Sequence, residues 1–281
     1  MVNVVMSCIK NSIYQQAAMD MVARGWTVYC GTNDVDKGDE LAGAGIIPIA
    51  LDVTCDNSVA DATKSIMKPA GELDHIFVTS PVSSFGVLEE HDKASAHHQF
   101  EVNLFGAMRL LSAFGPFLRG QNGGGFTIVS AGMLPETLPM AGWHNACEAA
   151  IDSIVSTAAA EFKGFNVNIA HLKAGLFTHE TIHGDALDLD ASGHAAAYQA
   201  HVSASTAYLK SVSQKHQSQQ DISKSAIDLV QCSILAKDRP AQPELKCTNP
   251  QSRMDLRPPL SKERSLFGAV EALGARQVIT P

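Results

Sequence analysis

Short runs dense in apolar residues alternate with stretches of helical period along most of this chain, and that rhythm constrains the fold more than any other feature. Residues 2–6 form the first run, residues 13–23 a helix candidate closed by Arg24-Gly25, and residues 26–30 a second apolar run. The unit repeats with a strand over 46–51, a helix over 58–66 and a buried strand over 74–78. Helical periodicity then runs over 94–118, and the Gly123-Gly124-Gly125 turn delivers the chain into a strand over 126–130. An Ala-rich helix over 143–162 leads to a sixth strand over 166–172. Strand-helix-strand units place their strands in parallel, because the helical crossover returns the chain to the same end of the sheet. The predicted fold is α/β: a doubly wound, Rossmann-like parallel sheet whose ligands sit outside the carboxyl ends of the strands.

Beyond Gly175 the rhythm loosens. Residues 179–220 are rich in His, Ser, Ala and Gln and read as a substrate lid over the strand ends. A further amphipathic helix is predicted over 226–236, and residues 238–260, with five Pro among mostly polar neighbours, read as a surface excursion. The expectation is one domain over residues 1–281.

Charge narrows the partners. Lys and Arg number 21 against 29 Asp and Glu, a net charge of −8 with no basic cluster, which argues against nucleic acid and anionic membranes. No apolar run reaches the ~18 residues needed to span a bilayer, and the first thirty residues lack a signal-peptide pattern. Six cysteines (Cys8, Cys30, Cys55, Cys147, Cys232, Cys247) are scattered without a CxxC pair. A soluble, cytoplasmic protein with reduced thiols and a small-molecule partner is expected.

Several strings, in their order and spacing, resemble the short-chain dehydrogenase/reductase family over roughly residues 1–178. Arg24-Gly25-Trp26-Thr27-Val28 is similar to its first-helix-to-second-strand step, Leu51-Asp52-Val53-Thr54 to its adenine-side LDVT segment, Gly71-Glu72-Leu73-Asp74 to the approach to its fourth strand, and Asn103-Leu104-Phe105-Gly106 to its NxxG motif. The resemblance implies a pyrophosphate-binding TGxxxGxG loop after the first strand, yet the three glycine positions carry Cys8, Ser12 and Tyr14. Thr32 and Asn33 stand where an Asp or Arg would select the dinucleotide, and Val78-Thr79-Ser80-Pro81 replaces NNAG. Tyr14 reads as a plug in the old phosphate site; the alternative is that Lys10 holds an anionic group of another ligand. Of the degenerate cofactor positions Cys8, Ser12, Tyr14, Asn33 and Asp52, none selects NAD or NADP, and no cofactor is expected.

The family's catalytic Ser, Tyr and Lys positions fall on Ala131, His144 and Glu148, and only Asn103 of its machinery survives. Hydride transfer by the family route is therefore not expected. His144 and Glu148, spaced i, i+4, share a helix face and can hydrogen bond, which suits an imidazole poised as a general acid/base. The bland alternative is a polar pair left in a decayed site. Met140 and Trp143 are expected as an apolar wall, and Lys173, beside His171, as part of the pocket rim. His179-Glu180-Thr181-Ile182-His183 spells HExxH, but a zinc site needs a long buried helix and a third ligand. No metal is expected, and Ala131, Phe177, His179 and His183 are assigned to the substrate pocket.

These residues suggest a non-redox enzyme that uses His144, Glu148 and Asn103 for isomerisation, cyclisation or elimination of an apolar small molecule in specialised-metabolite biosynthesis. It would form a homo-oligomer, dimer or tetramer, through its two long middle helices, as the resemblance implies. One alternative is a catalytically silent subunit partnering an active dehydrogenase in a hetero-oligomer; another is an NADP(H)-dependent oxidoreductase with altered binding.

Overall fold

The computed structural model describes residues 1–8, 12–32, 34–79, 82–134, 138–174, 196–213 and 219–237. Six parallel strands, β1 (Asn3–Met6), β2 (Thr27–Thr32), β3 (Ile47–Ala50), β4 (His75–Val78), β5 (Gly124–Ser130) and β6 (Val167–Lys173), pair in the order β3-β2-β1-β4-β5-β6. The doubly wound sheet is thus as the sequence predicts. Central strands β1, β4 and β5 are buried along their whole length, which is why they read as unbroken apolar runs rather than alternating ones. Val5 pairs with Tyr29 on one side and Ile76 on the other, and Ser130 at the end of β5 pairs with Lys173 at the end of β6.

Helices cover both faces. On one, α3 (Asp56–Ala70), α5 (Gly106–Gly120) and α6 (Gly142–Phe162) bury Ile66, Leu110, Phe114 and Ile151 against Ile76, Phe126 and Ile128. On the other, α1 (Ser12–Val22) and α8 (Gln219–Lys237) enclose Met21, Phe77 and Val230, with Leu41 from α2 (Val35–Gly43). Each such side chain contributes about 1.5–3 kcal/mol by leaving water. α8 is also tied by polar bonds: the buried His75 ring lies 3.0 Å from Ser233 Oγ and 2.8 Å from Thr127 Oγ1. A Cβ on Gly125 would collide with that ring and with Ser233 Oγ, so glycine there makes the space His75 occupies.

The helix predicted over 94–118 is divided. α4 (Lys93–Phe100), capped by Asp92 through Ala94 N and Ser95 N, passes through a π-helical turn at Glu101–Phe105 before α5 begins. Asn103 sits in that turn. Its amide donates to Val82 O at 2.7 Å and accepts from Val82 N at 2.8 Å.

Within the predicted lid, α7 (Gln199–Ser213) is described. Its Val202 and Leu209 are buried with Phe85, Val87, Leu134, Leu138, Met140 and Ala141 in a third apolar cluster. Residues 179–195, 214–218 and the predicted excursion over 238–260 lie outside the described residues. Among the described residues no helix is long and apolar enough to cross a membrane.

Candidate functional site

Helix α6 carries two stripes at a spacing of four. Cys147, Ile151 and Val155 turn into the core, while His144, Glu148 and Asp152 turn toward the carboxyl ends of β5 and β6. The expected bond between His144 and Glu148 is not what the spacing produces. His144 Nε2 lies 3.0 Å from Gly132 O, and Gly132 N donates to Glu148 Oε2 at 3.1 Å. The two side chains meet on one intervening residue, in the segment that follows β5.

A carbonyl oxygen only accepts, so His144 Nε2 carries the proton and the remaining lone pair is on Nδ1. That Nδ1 is buried and has no hydrogen-bond partner among the described residues. Burial lowers the imidazole's pKa, only partly offset by the Gly132 bond, so His144 is neutral at physiological pH. Its ring neighbour is Phe85, with centroids 5.2 Å apart. Trp143, expected in that wall, instead packs edge-on against Phe100 and is 37% exposed. Met140 is in the third apolar cluster, with Ala131 packed against it.

Glu148 is almost fully enclosed. Burial pushes its pKa up to about 7, a rise that the Ser130 bond opposes and the nearby Asp152 charge assists. Ser130 Oγ lies 2.6 Å from Glu148 Oε2 and 2.7 Å from His171 Nε2. His171 Nδ1 reaches Asp152 Oδ1 at 2.7 Å, and Lys173 Nζ donates to Asp152 Oδ2 at 2.6 Å. Burial lowers the His171 pKa, against the raising effect of Asp152. Lys173 is thus held by a carboxylate on α6. Cys147, beside Glu148, has its thiol pushed up to about 12 by burial, which removes it as a nucleophile.

Asn103 makes no hydrogen bond to His144 or Glu148 among the described residues; its amide is used on Val82 and lies near the Cys147 thiol. Ser130 and Asp152 were not among the residues singled out in the sequence. The signal for Asp152 was its i, i+4 spacing from Glu148, and for Ser130 its place beside Ala131 at the end of a strand.

The side chains at the nucleotide end of the sheet are not those a dinucleotide needs. Tyr14 is 3% exposed and packs with Val4, Met6, Ala18 and Met21, so a core ring stands where the resemblance implies a glycine. Burial, with Cys8 and Glu148 nearby, raises its phenol's pKa. The ends of β1 and β4, where the strand order reverses, are stitched together: Thr79 N donates to Ser7 Oγ at 2.9 Å, and Thr79 Oγ1 to Cys8 O at 2.5 Å. Asp52 Oδ1 is engaged by Thr54 N and Thr54 Oγ1 at 2.8 and 2.7 Å. A buried carboxyl, Glu148, stands where the resemblance implies a ribose-holding lysine. Ser12 opens α1, whereas Lys10, Asn33, Phe177, His179 and His183 lie outside the described residues.

Comparison with known proteins agrees with the sheet order. The family model described as Enoyl-(Acyl carrier protein) reductase matches residues 8–214. The chain is 29% identical over 174 residues to the short-chain dehydrogenase virD of Hypocrea virens, covering 61% of this chain and 60% of that one. It is 27% identical over 172 residues to the short-chain dehydrogenase ptmH of Penicillium ochrochloron, covering 60% and 62%. The match therefore spans about three fifths of these relatives' length. Among solved structures, a short-chain dehydrogenase from Streptomyces avermitilis superposes with a TM-score of 0.68 at 20% identity, over 81% of this chain and 83% of the other. ElxO with NADP bound superposes at 0.66 and 19% identity, over 82% and 91%. The match over most of the chain, on a sheet of this order, means that the protein belongs to the short-chain dehydrogenase/reductase family.

Proposed function

We propose that this chain is a non-redox member of its family that transfers protons on an apolar small molecule, in an isomerisation, cyclisation or elimination of the kind used in specialised-metabolite biosynthesis. The observation that carries this reading is the buried Nδ1 of His144, which has no partner among the described residues. An unsatisfied buried acceptor costs about 1–3 kcal/mol, so it is retained where a bound ligand supplies the missing donor. A neutral imidazole in apolar surroundings accepts a proton from an acidified C–H or O–H, becoming an imidazolium. Glu148, holding its proton near neutrality, donates to the carbonyl or leaving oxygen on which negative charge develops. Gly132 holds both groups in register. Asn103 acts from further off, by fixing Val82.

Phe85, Leu134, Leu138 and Met140 favour an apolar substrate. Half-exposed Phe105 and Phe117 on the α5 side support a homo-oligomer, dimer or tetramer; the setting we propose for it is the cytoplasm. No dinucleotide takes part in this reading, because Tyr14 and Glu148 occupy the positions it would need.

The test is deuterium incorporation. The purified protein is incubated in D2O, without nucleotide, with a panel of apolar carbonyl compounds bearing an acidic C–H, and the products are weighed by mass spectrometry. Catalysed exchange above the uncatalysed rate, lost in His144→Phe, supports the reading. Exchange equal in the parent and His144→Phe, or turnover only with NADPH, overturns it.

One observation favours a second reading, a silent subunit that partners an active dehydrogenase. Val202 and Leu209 of α7 are buried against the very side chains that would line a pocket. On that reading His144→Phe and Glu148→Gln leave function intact, while charges placed on exposed α5 and α6 positions abolish it.

A further inference from the structure

A continuous line of hydrogen bonds leads from the buried carboxyl of Glu148 toward solvent. It passes from Glu148 Oε2 to Ser130 Oγ at 2.6 Å, to His171 Nε2 at 2.7 Å, and from His171 Nδ1 to Asp152 Oδ1 at 2.7 Å. Exposure rises along it: the Glu148 and His171 side chains are 2% and 6% exposed, Asp152 27%. We propose that Ser130 and His171 are relay residues that carry the Glu148 proton to and from solvent at Asp152. This rests on the reading of Glu148 as the proton-holding acid of the site.

Counting protons supports it. Asp152, a carboxylate paired with Lys173 at 2.6 Å, accepts from His171 Nδ1, so that nitrogen keeps its hydrogen. The Ser130 hydroxyl has one hydrogen; it accepts from Gly132 N at 3.2 Å, a bond the same in every arrangement, and has two neighbours with which it can exchange a proton. If Glu148 is protonated, it donates to Ser130, which donates to a neutral His171 Nε2. If the proton has moved, an imidazolium donates from Nε2 to Ser130, which donates to the Glu148 carboxylate. Both arrangements satisfy every junction, and they differ by shifting two hydrogens along two bonds. Glu148 loses one proton and His171 gains one; nothing else changes. With neither proton present, two lone pairs face each other at one junction. The line therefore holds one exchangeable proton. The imidazolium hands it on from Nδ1 to Asp152, which releases it to water.

The other ionisable groups that face Glu148 do not compete for that proton. Tyr14 from α1 and Cys147 on α6 are kept neutral by burial, and burial lowers the pKa of the His144 imidazole, whose Nε2 is held by Gly132 O. Lys173 favours the Glu148 carboxylate and Asp152 the acid.

The test reads the carboxylic-acid C=O band of Glu148 by infrared difference spectroscopy near pH 6, assigned by its loss in Glu148→Gln, during rapid dilution into D2O. A buried proton without a relay exchanges only through local opening of the fold. The band in the parent shifts to its deuterated position within the mixing time. In Ser130→Ala and in His171→Phe the shift slows at least about tenfold, while Ser130→Thr, which keeps the hydroxyl, restores it. A band present but equally fast in Ser130→Ala and His171→Phe overturns the relay alone. Absence of any band sensitive to Glu148→Gln overturns the relay together with the reading beneath it.

Discussion

His144 and Glu148 hold opposite poles of a single residue: the imidazole bonds to the carbonyl of Gly132 and the carboxyl to its N–H, at 3.0 and 3.1 Å. Gly132 can serve both because its φ is +78°, a conformation that side chains disfavour, and because a Cβ there would lie 3.1 Å from Lys173 Cβ. One glycine thus sets the relative placement of a buried imidazole and a buried carboxyl. Helix spacing supplies the two groups, and the segment after β5 supplies the geometry.

The carboxyl of Glu148 makes stability fall as pH rises. Its pKa is raised from 4.5 to about 7 in the fold, so the native state binds more protons than the unfolded chain between those values. Stability from this group is full below about 4.5 and is lost by about 7. Glu148→Gln removes the slope: urea denaturation at pH 8 finds the variant more stable by on the order of 2–3 kcal/mol, and the gap closes toward pH 4.5. Equal slopes in parent and variant contradict the assignment.

The His75 ring acts in the opposite direction. Burial pushes its pKa from 6.5 down to about 3, so the unfolded chain takes up a proton that the native state refuses. Its contribution is complete above about 6.5 and is lost as pH falls toward 3, at up to about 1.4 kcal/mol per unit. In His75→Asn this acid-side slope disappears, and chemical denaturation from pH 7 to pH 4 measures it. Retention of the full slope in the variant contradicts the account.

Tyr14 is a core residue as well as an obstacle. Tyr14→Ala leaves a cavity among Met6, Ala18 and Met21 and costs about 3–5 kcal/mol in equilibrium unfolding. A cost below about 1 kcal/mol would mean that the ring only rests on the surface of the site.

Strands β1, β4 and β5 were legible because buried parallel strands are continuous apolar runs, the edge strand β3, with Ile47 exposed, by its place in the strand-helix alternation, and α6 because its length and Ala content leave no other element. Helix α2 was missed: Val35–Gly43 is nine residues long with Gly38 inside, too short and interrupted for its period to stand out. The break at Glu101–Phe105 was invisible because it accompanies a tertiary clamp, Asn103 on Val82, within an otherwise helical pattern. At the site, spacing brought His144 and Glu148 to one face yet could not show that each turns to Gly132. Ser130 and His171 are 41 positions apart and meet through the pairing of β5 with β6, a relationship no local window contains.

On the proposed reading, this fold holds a proton-transfer site and binds no dinucleotide. Thermal unfolding of the purified chain, with and without NADPH or NADH at about 1 mM, tests it most directly, because a ligand at a hundred times its Kd stabilises the native state by about 2.7 kcal/mol. An unchanged Tm with either nucleotide is expected. A saturable rise of several degrees, with a midpoint in the micromolar range, would contradict it.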